Sequence, residues 1–166
     1  MARRVNADEP PINALKPERL HSPQARALGI ELVSLEPQVV LKIAYREDLV
    51  GNPETGVIAG GVVTTLLDTT CGWATAVALK QLTSIATLDL RIDYMRPSTP
   101  GKPIFATADC YKLTRSIAFL RAIAYDDDPS DPVAAAQATF MLDSNAGRRA
   151  GANLAPAATP AKGGDA

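Results

Sequence analysis

Between Thr55 and Leu79 the chain runs for twenty-five residues, TGVIAGGVVTTLLDTTCGWATAVAL, with a single charge, Asp68. A run this long and apolar is either a membrane span or the central helix of a globular core. Its threonines and glycines make a poor span, and a central Asp alone costs about 2.5 to 3.5 kcal/mol on insertion scales. The amphipathic segments around it also need a helix to cover them, so the run reads as a buried core helix. Taking a carboxylate out of water with no cation nearby in sequence costs several kcal/mol. Asp68 is therefore the leading candidate for a residue kept for its chemistry.

The rest of the composition narrows the partners. A chain of 166 residues, 46% hydrophobic and 21% charged, suits one globular domain. Net charge is -1, and the basic pairs Arg3-Arg4 and Arg148-Arg149 are too short to demand a polyanion, so no nucleic-acid partner is expected. Cys71 and Cys110 have no CxxC spacing and read as reduced core residues. The N-terminus, MARRVNADEPPIN, lacks an apolar signal core, which gives a cytoplasmic expectation. No metal-binding cluster is visible, and the one histidine is His21.

Residues 1–17 hold three prolines and residues 145–166 are mostly Ala, Gly and Pro; both read as disordered tails around a domain at 18–144. A short helix is expected over 17–29, ending at Gly29, and strands over 30–35 and 39–45. After the long helix, 84–96 alternates with Leu88, Leu90, Ile92 and Tyr94 on one face and Thr87, Asp89, Arg91 and Asp93 on the other. Strands follow over 103–113, 116–126 and 133–142, the last with a helix-like alanine content. This order predicts an α+β domain in which an antiparallel meander of about five to six strands packs on one central helix.

Projected at 100° per residue, Gly61, Thr64, Thr65, Cys71, Gly72, Thr75 and Leu79 cluster around Asp68, and Val62, Val63, Leu66, Trp73 and Val77 lie opposite. The large face suits a sheet; the small face lets another helix or a ligand approach closely. Gly60-Gly61 opens the helix, where free N–H groups and the dipole favour an oxyanion. Alone, such a pair reads as a tight entry turn, but a carboxylate on the same helix favours the oxyanion reading. Eight residues at 1.5 Å rise put Gly60 roughly 12 Å from Asp68, too far for both to act on one carbonyl carbon. Two such helices meeting antiparallel about a two-fold axis would bring the glycine end of one to the Asp of the other, which predicts a homodimer with two composite sites. Burial would raise the pKa of Asp68, whereas the hydroxyls of Thr64, Thr65 or a partner's Thr87 would keep it ionised.

The segments VIAGGVVTTLLDTTCGWA, TLDLRIDYMRP and KLTRSIAFLRAIAYD, with SPQARALGIELVSLEP upstream, resemble the hotdog-fold acyl-CoA thioesterases of the phenylacetate-pathway (PaaI-like) type. The resemblance covers about residues 20–143 and implies a hotdog fold, hydrolysis of acyl-CoA thioesters, and self-association as a homodimer or a dimer of dimers. It implies that the Gly60 amide, with Gly61 beside it, polarises the thioester carbonyl, and that Asp68 from the partner subunit activates water or attacks directly. Asn52 and Thr87 match residues that line the site or place the water. For the coenzyme A phosphates it points to Arg96, Lys112, Arg115 and Ser116. No cofactor is implied, because coenzyme A is part of the substrate. The family's usual histidine before the two glycines is Ala59 here. That departure argues against a histidine-centred hydratase or dehydratase and leaves a non-catalytic dimer that binds acyl-CoA or small aromatic ligands as the alternative.

Overall fold

The computed structural model describes residues 22–142. Both expected tails, His21 and the first residues of the expected N-terminal helix lie outside them. Helix α1 (Pro23–Leu28) begins at Ser22, whose hydroxyl accepts from the Ala25 amide at 3.1 Å, and ends at Gly29, whose φ of 68° is the left-handed stop. Strands β1 (Ile30–Ser34) and β2 (Val39–Ile43) follow. A 3-10 turn at Glu47–Leu49 then leads into a small hairpin, β3 (Val50–Asn52) and β4 (Val57–Ile58), which the sequence did not announce. It delivers the chain to the long helix α2 (Gly60–Leu79). Strands β5 (Ile85–Tyr94), β6 (Ile104–Leu113), β7 (Ile117–Tyr125) and β8 (Ala134–Leu142) complete the domain.

The main sheet has six antiparallel strands in the order β1-β2-β6-β7-β8-β5, with α2 packed on β2, β6, β7 and β8. The expected α+β architecture, one helix against an antiparallel sheet, is present. The expected simple meander holds for β6-β7-β8 only, because β5 crosses to the far edge beside β8. Alternation says which face of a strand is buried; it does not say which neighbour the strand takes. The alanine-rich β8 is a strand: Ala134, Ala136, Ala138, Phe140 and Leu142 are buried at period two. With Ala106, Ala108, Ala118, Ala122 and Ala124 they form a smooth floor on which the helix can lie close.

The helix is oriented differently from the projection. Its buried stripe is Val63, Leu66, Leu67, Thr70, Cys71, Ala74 and Thr75, whereas Val62, Trp73 and Val77 are half-buried. Cys71 and Thr75, expected on the Asp68 face, point into the sheet. The threonine hydroxyls explain how so polar a stripe can be buried: Thr70 donates to the Leu66 carbonyl at 2.7 Å and Thr75 to that of Cys71 at 3.0 Å. Each bonds one turn back and leaves nothing unsatisfied. This helix has the length and composition of a membrane span, but its apolar stripe is occupied by the chain's own sheet. What remains open is a strip with Gly61, Thr64, Thr65 and Asp68, the first exposed and the others half-buried.

Candidate active site

Asp68 is half-buried in the single chain, not enclosed as its place in the apolar run suggested. Its Oδ1 accepts a hydrogen bond from the Thr87 hydroxyl at 2.9 Å, and its Oδ2 takes none among the described residues. Thr64 and Thr65, the other expected partners, turn away and donate to the carbonyls of Gly60 and Gly61 at 3.1 and 3.0 Å. The hydroxyl that reaches the carboxylate therefore comes from the same chain, and from one residue.

Thr87 arrives there through an irregularity that alternation does not reveal. Along β5, Thr87 pairs with Phe140 but Asp89 pairs with Thr139, so Leu88 is an extra residue, a β-bulge. The slip of one residue reverses the faces on either side of it. Thr87, expected in the outward row with Asp89, Arg91 and Asp93, instead faces α2 with Leu90, Ile92 and Tyr94, opposite the buried Phe140 and Ala138. Leu88, expected inside, is 54% exposed. The strand itself is an edge, largely accessible in one chain, with Tyr94 and Met95 also exposed.

At the other end of the strip, Gly60 is the first residue of α2 and Ala59 its N-cap, with no side-chain capping bond. The Gly60 and Gly61 amides have no acceptor among the described residues; the first bonded amide is that of Val62, to the Ala59 carbonyl at 3.0 Å. The two glycines are glycine for different reasons. A Cβ on Gly60 would lie 3.3 Å from the Tyr94 hydroxyl, whereas a Cβ on Gly61 would meet nothing within 4 Å. Nothing in this chain requires Gly61, so the space beside it is open to a molecule from outside. A cavity of about 340 Å³ adjoins this end, lined by Val57, Ile58, Val63, Tyr94, Met95 and Val133 among others.

Asn52 lies on the β3–β4 hairpin that feeds α2, and its Oδ1 accepts from the Glu54 amide at 3.0 Å, which ties it into its own turn. Arg96, expected to meet phosphate, is committed elsewhere. It makes a bidentate pair with Asp126 at 2.7 and 3.0 Å and donates to the carbonyls of Asp131 and Pro97. Every N–H of the guanidinium has a partner, so Arg96 joins the β5–β6 and β7–β8 loops and has no donor left for a substrate. The bond to Arg96 holds the Asp126 carboxyl far below the usual carboxylate range. Lys112, Arg115 and Ser116 are exposed at the β6–β7 turn. The Leu142 amide donates to the Ser116 carbonyl at 2.8 Å and Leu142 pairs with Ile85. This register puts the basic turn at the Thr87–Asp68 end of the sheet and away from Gly60.

One group nearby was not singled out from sequence. Tyr94, counted as one apolar member of a strand face, donates its hydroxyl to the Gly60 carbonyl at 2.6 Å. Cys71, beneath Asp68 on the next turn, has its thiol pushed up to about 12 by burial first and by the Asp68 charge second. It is a packed and unreactive group. No cluster of metal-ligating side chains occurs among the described residues.

A six-stranded antiparallel sheet backing one long helix, with a carboxylate and an open glycine pair on the uncovered helix face, is the arrangement of a known class. The thioesterase superfamily matches residues 55–133, the stretch from the α2 approach to the start of β8. The medium/long-chain acyl-CoA thioesterases YigI of Salmonella typhimurium and Escherichia coli are 28% identical over 137 residues, covering 74% of this chain and 86% of theirs. A crystal structure of a Pseudomonas aeruginosa protein is 40% identical, covers 75% of this chain and 97% of its own, and superposes with a TM-score of 0.68. The Escherichia coli PaaI protein, at 20% identity and a TM-score of 0.65 over 76% of this chain and 88% of its own, shares the fold. These matches fit a PaaI-like member of the thioesterase superfamily with the hotdog fold.

Proposed function

We propose that the protein hydrolyses acyl-CoA thioesters at two composite sites of a homodimer, each built from the Gly60 amide of one subunit and the Asp68–Thr87 pair of the other. That it is a thioester hydrolase follows from its family; the residue roles are our reading. The observation that carries them is the 2.9 Å bond from Thr87 to Asp68. A bulged edge strand aims one hydroxyl at one carboxylate oxygen, which fixes the carboxylate's orientation and leaves its other oxygen for water. In the chemistry this supports, Oδ2 takes a proton from water as the hydroxide adds to the thioester carbonyl carbon. The carbonyl oxygen becomes an oxyanion held by the Gly60 amide at the positive end of α2. Collapse breaks the carbon–sulfur bond, and the departing thiolate takes the proton back from Asp68. Direct attack by Asp68, through a mixed anhydride, uses the same geometry and is separated by single-turnover hydrolysis in ¹⁸O water, which labels the carboxylate only on that route.

Dimerisation is favoured by what one chain leaves open. β5 is a ten-residue edge with Leu88, Tyr94 and Met95 54%, 51% and 60% exposed, and it borders the uncovered strip of α2. Asp89, Arg91 and Asp93 are also exposed along it, but an edge that leaves large apolar side chains of this kind open is ordinarily covered. Tyr111, Leu113 and Met141 are further exposed apolar side chains suited to a dimer of dimers. Lys112, Arg115 and Ser116 are the groups left to meet coenzyme A phosphates, and the apolar cavity beside Gly60 suits the medium or long acyl chains for which the YigI relatives are named.

The test is hydrolysis of a panel of short, medium, long and aryl acyl-CoAs by wild type, Asp68→Ala and Asp68→Asn. Binding without turnover above the variants would overturn the catalytic reading. Ala59, which leaves the α2 N-terminus without a side-chain cap at the position where the resemblance has histidine, favours the second reading, a binding dimer; in that case Asp68→Asn binds acyl-CoA as wild type does and no protein turns it over. The composite site has its own check. Inactive Asp68→Asn and Gly60→Pro proteins, refolded together, should regain about a quarter of wild-type activity, because half the dimers are mixed and each mixed dimer has one intact site.

A further inference from the structure

Tyr94 closes β5 beside the first residue of α2, on the face of the strand that also carries Thr87. Its hydroxyl donates to the Gly60 carbonyl at 2.6 Å and lies 3.0 Å from the Thr64 hydroxyl, which is itself 3.1 Å from the same carbonyl. A phenol has one proton. With that proton on the Gly60 oxygen and the single Thr64 proton directed at the same carbonyl, the two hydroxyls together supply two donors to the Gly60 oxygen. The absence of a side chain at Gly60 admits this contact, since a Cβ there would come within 3.3 Å of the Tyr94 oxygen.

The Gly60 carbonyl and the Gly61 N–H belong to one amide. A proton donated to the oxygen draws electron density from the nitrogen and strengthens that N–H as a donor, as bonds do along any hydrogen-bonded chain. The Gly61 amide has no acceptor among the described residues, and the space beside its Cα is open. The phenol is 51% exposed, so water could replace its bond at little cost to folding. Its tight placement on this one carbonyl is therefore hard to account for as stability alone.

We propose that Tyr94 is a positioning residue: it orients and polarises the Gly60–Gly61 peptide so that the Gly61 amide serves as a second donor to the oxyanion beside that of Gly60. This rests on the thioesterase reading above and adds a residue and a donor to it. Because the added interaction forms with the charge of the transition state, its loss lowers kcat and leaves KM nearly unchanged.

The experiment compares wild type, Tyr94→Phe, Thr64→Val and Asp68→Asn on an acyl-CoA that wild type hydrolyses, together with the ¹⁵N and ¹H shifts of the Gly61 amide. Tyr94→Phe keeps the ring; kcat should fall about tenfold with KM within about twofold and the pH profile unmoved, and the Gly61 amide proton should move upfield. Thr64→Val, which removes the longer of the two donors to the Gly60 carbonyl, should show the same pattern to a smaller degree. Wild-type kcat in Tyr94→Phe while Asp68→Asn is inactive would overturn the proposal and leave the parent reading intact. An active Asp68→Asn would instead overturn the parent reading. The Gly61 shift decides the matter even if no thioester is turned over: an amide unmoved by Tyr94→Phe means that the phenol does not act on that peptide.

Discussion

Two carboxylates of this molecule are held in opposite ways. Asp126 is 2% exposed and accepts from both terminal nitrogens of Arg96, from the Thr99 amide at 2.7 Å and from the Asp127 amide at 3.0 Å. Asp68 is half-buried, with one neutral hydroxyl on one oxygen. The first is saturated and can do nothing but hold loops together. The second is oriented but not satisfied, which is the condition of a group that meets its remaining partner during a reaction. A buried charge is thus a weak guide to function until its hydrogen bonds are counted.

The comparison is sharpened by substituting each side in turn. Asp68→Asn should lower kcat by about 10³-fold with a melting temperature close to wild type, since the amide oxygen can still accept from the Thr87 hydroxyl; a matching fall in stability would mean that Asp68 is structural like Asp126. Gly60→Pro should follow, at about 10²- to 10³-fold in kcat. It deletes one amide proton at the first helical position, where proline is tolerated, after an Ala59 whose φ of -59° and ψ of 136° suit a residue preceding proline, and its Cβ, 3.3 Å from the Tyr94 hydroxyl, also shifts that contact. A normal far-ultraviolet spectrum with lost activity is the expected pair of results.

Asp126→Asn should reverse the pattern, costing about 3 kcal/mol in urea unfolding while the folded fraction keeps wild-type kcat. Its pH dependence has a definite sign. The folded-state pKa is depressed, so this stabilisation is present above the ordinary carboxylate value of about 3.9 and is lost as pH falls below it. Wild type should therefore lose its advantage over Asp126→Asn in acid and keep it at neutrality. The smallest effect belongs to Thr87→Val, about tenfold in kcat for one hydrogen bond to a charged group. A wild-type rate there would remove the observation on which the residue roles rest.

Much of this was legible before any fold was known. The helix, the six strands of the main sheet, the glycine end and the lone carboxylate all follow from the apolar run and from period-two alternation, because those signals are local. The face of Thr87 was not legible, since a bulge at Leu88 exists only against the register of β8. Nor was the role of Arg96, whose partners lie 30 and 35 residues further along the chain. A cation at a strand end looks the same in sequence whether its partner is phosphate or a loop. Tyr94 was read as one more apolar residue because the carbonyl it meets is 34 positions earlier.

The sequence by itself determined that a long apolar helix with one charge would be covered by an antiparallel sheet, because burying such a run leaves few alternatives. Its spacing also determined that Gly60 and Asp68 stand too far apart on one helix to share a carbonyl. Only the tertiary structure decided which side of that helix stays open, which hydroxyl reaches Asp68 and which arginine is already taken. Those outcomes depend on register, strand order and loop closure between distant segments, and pairing energies of that kind are not written in any local pattern.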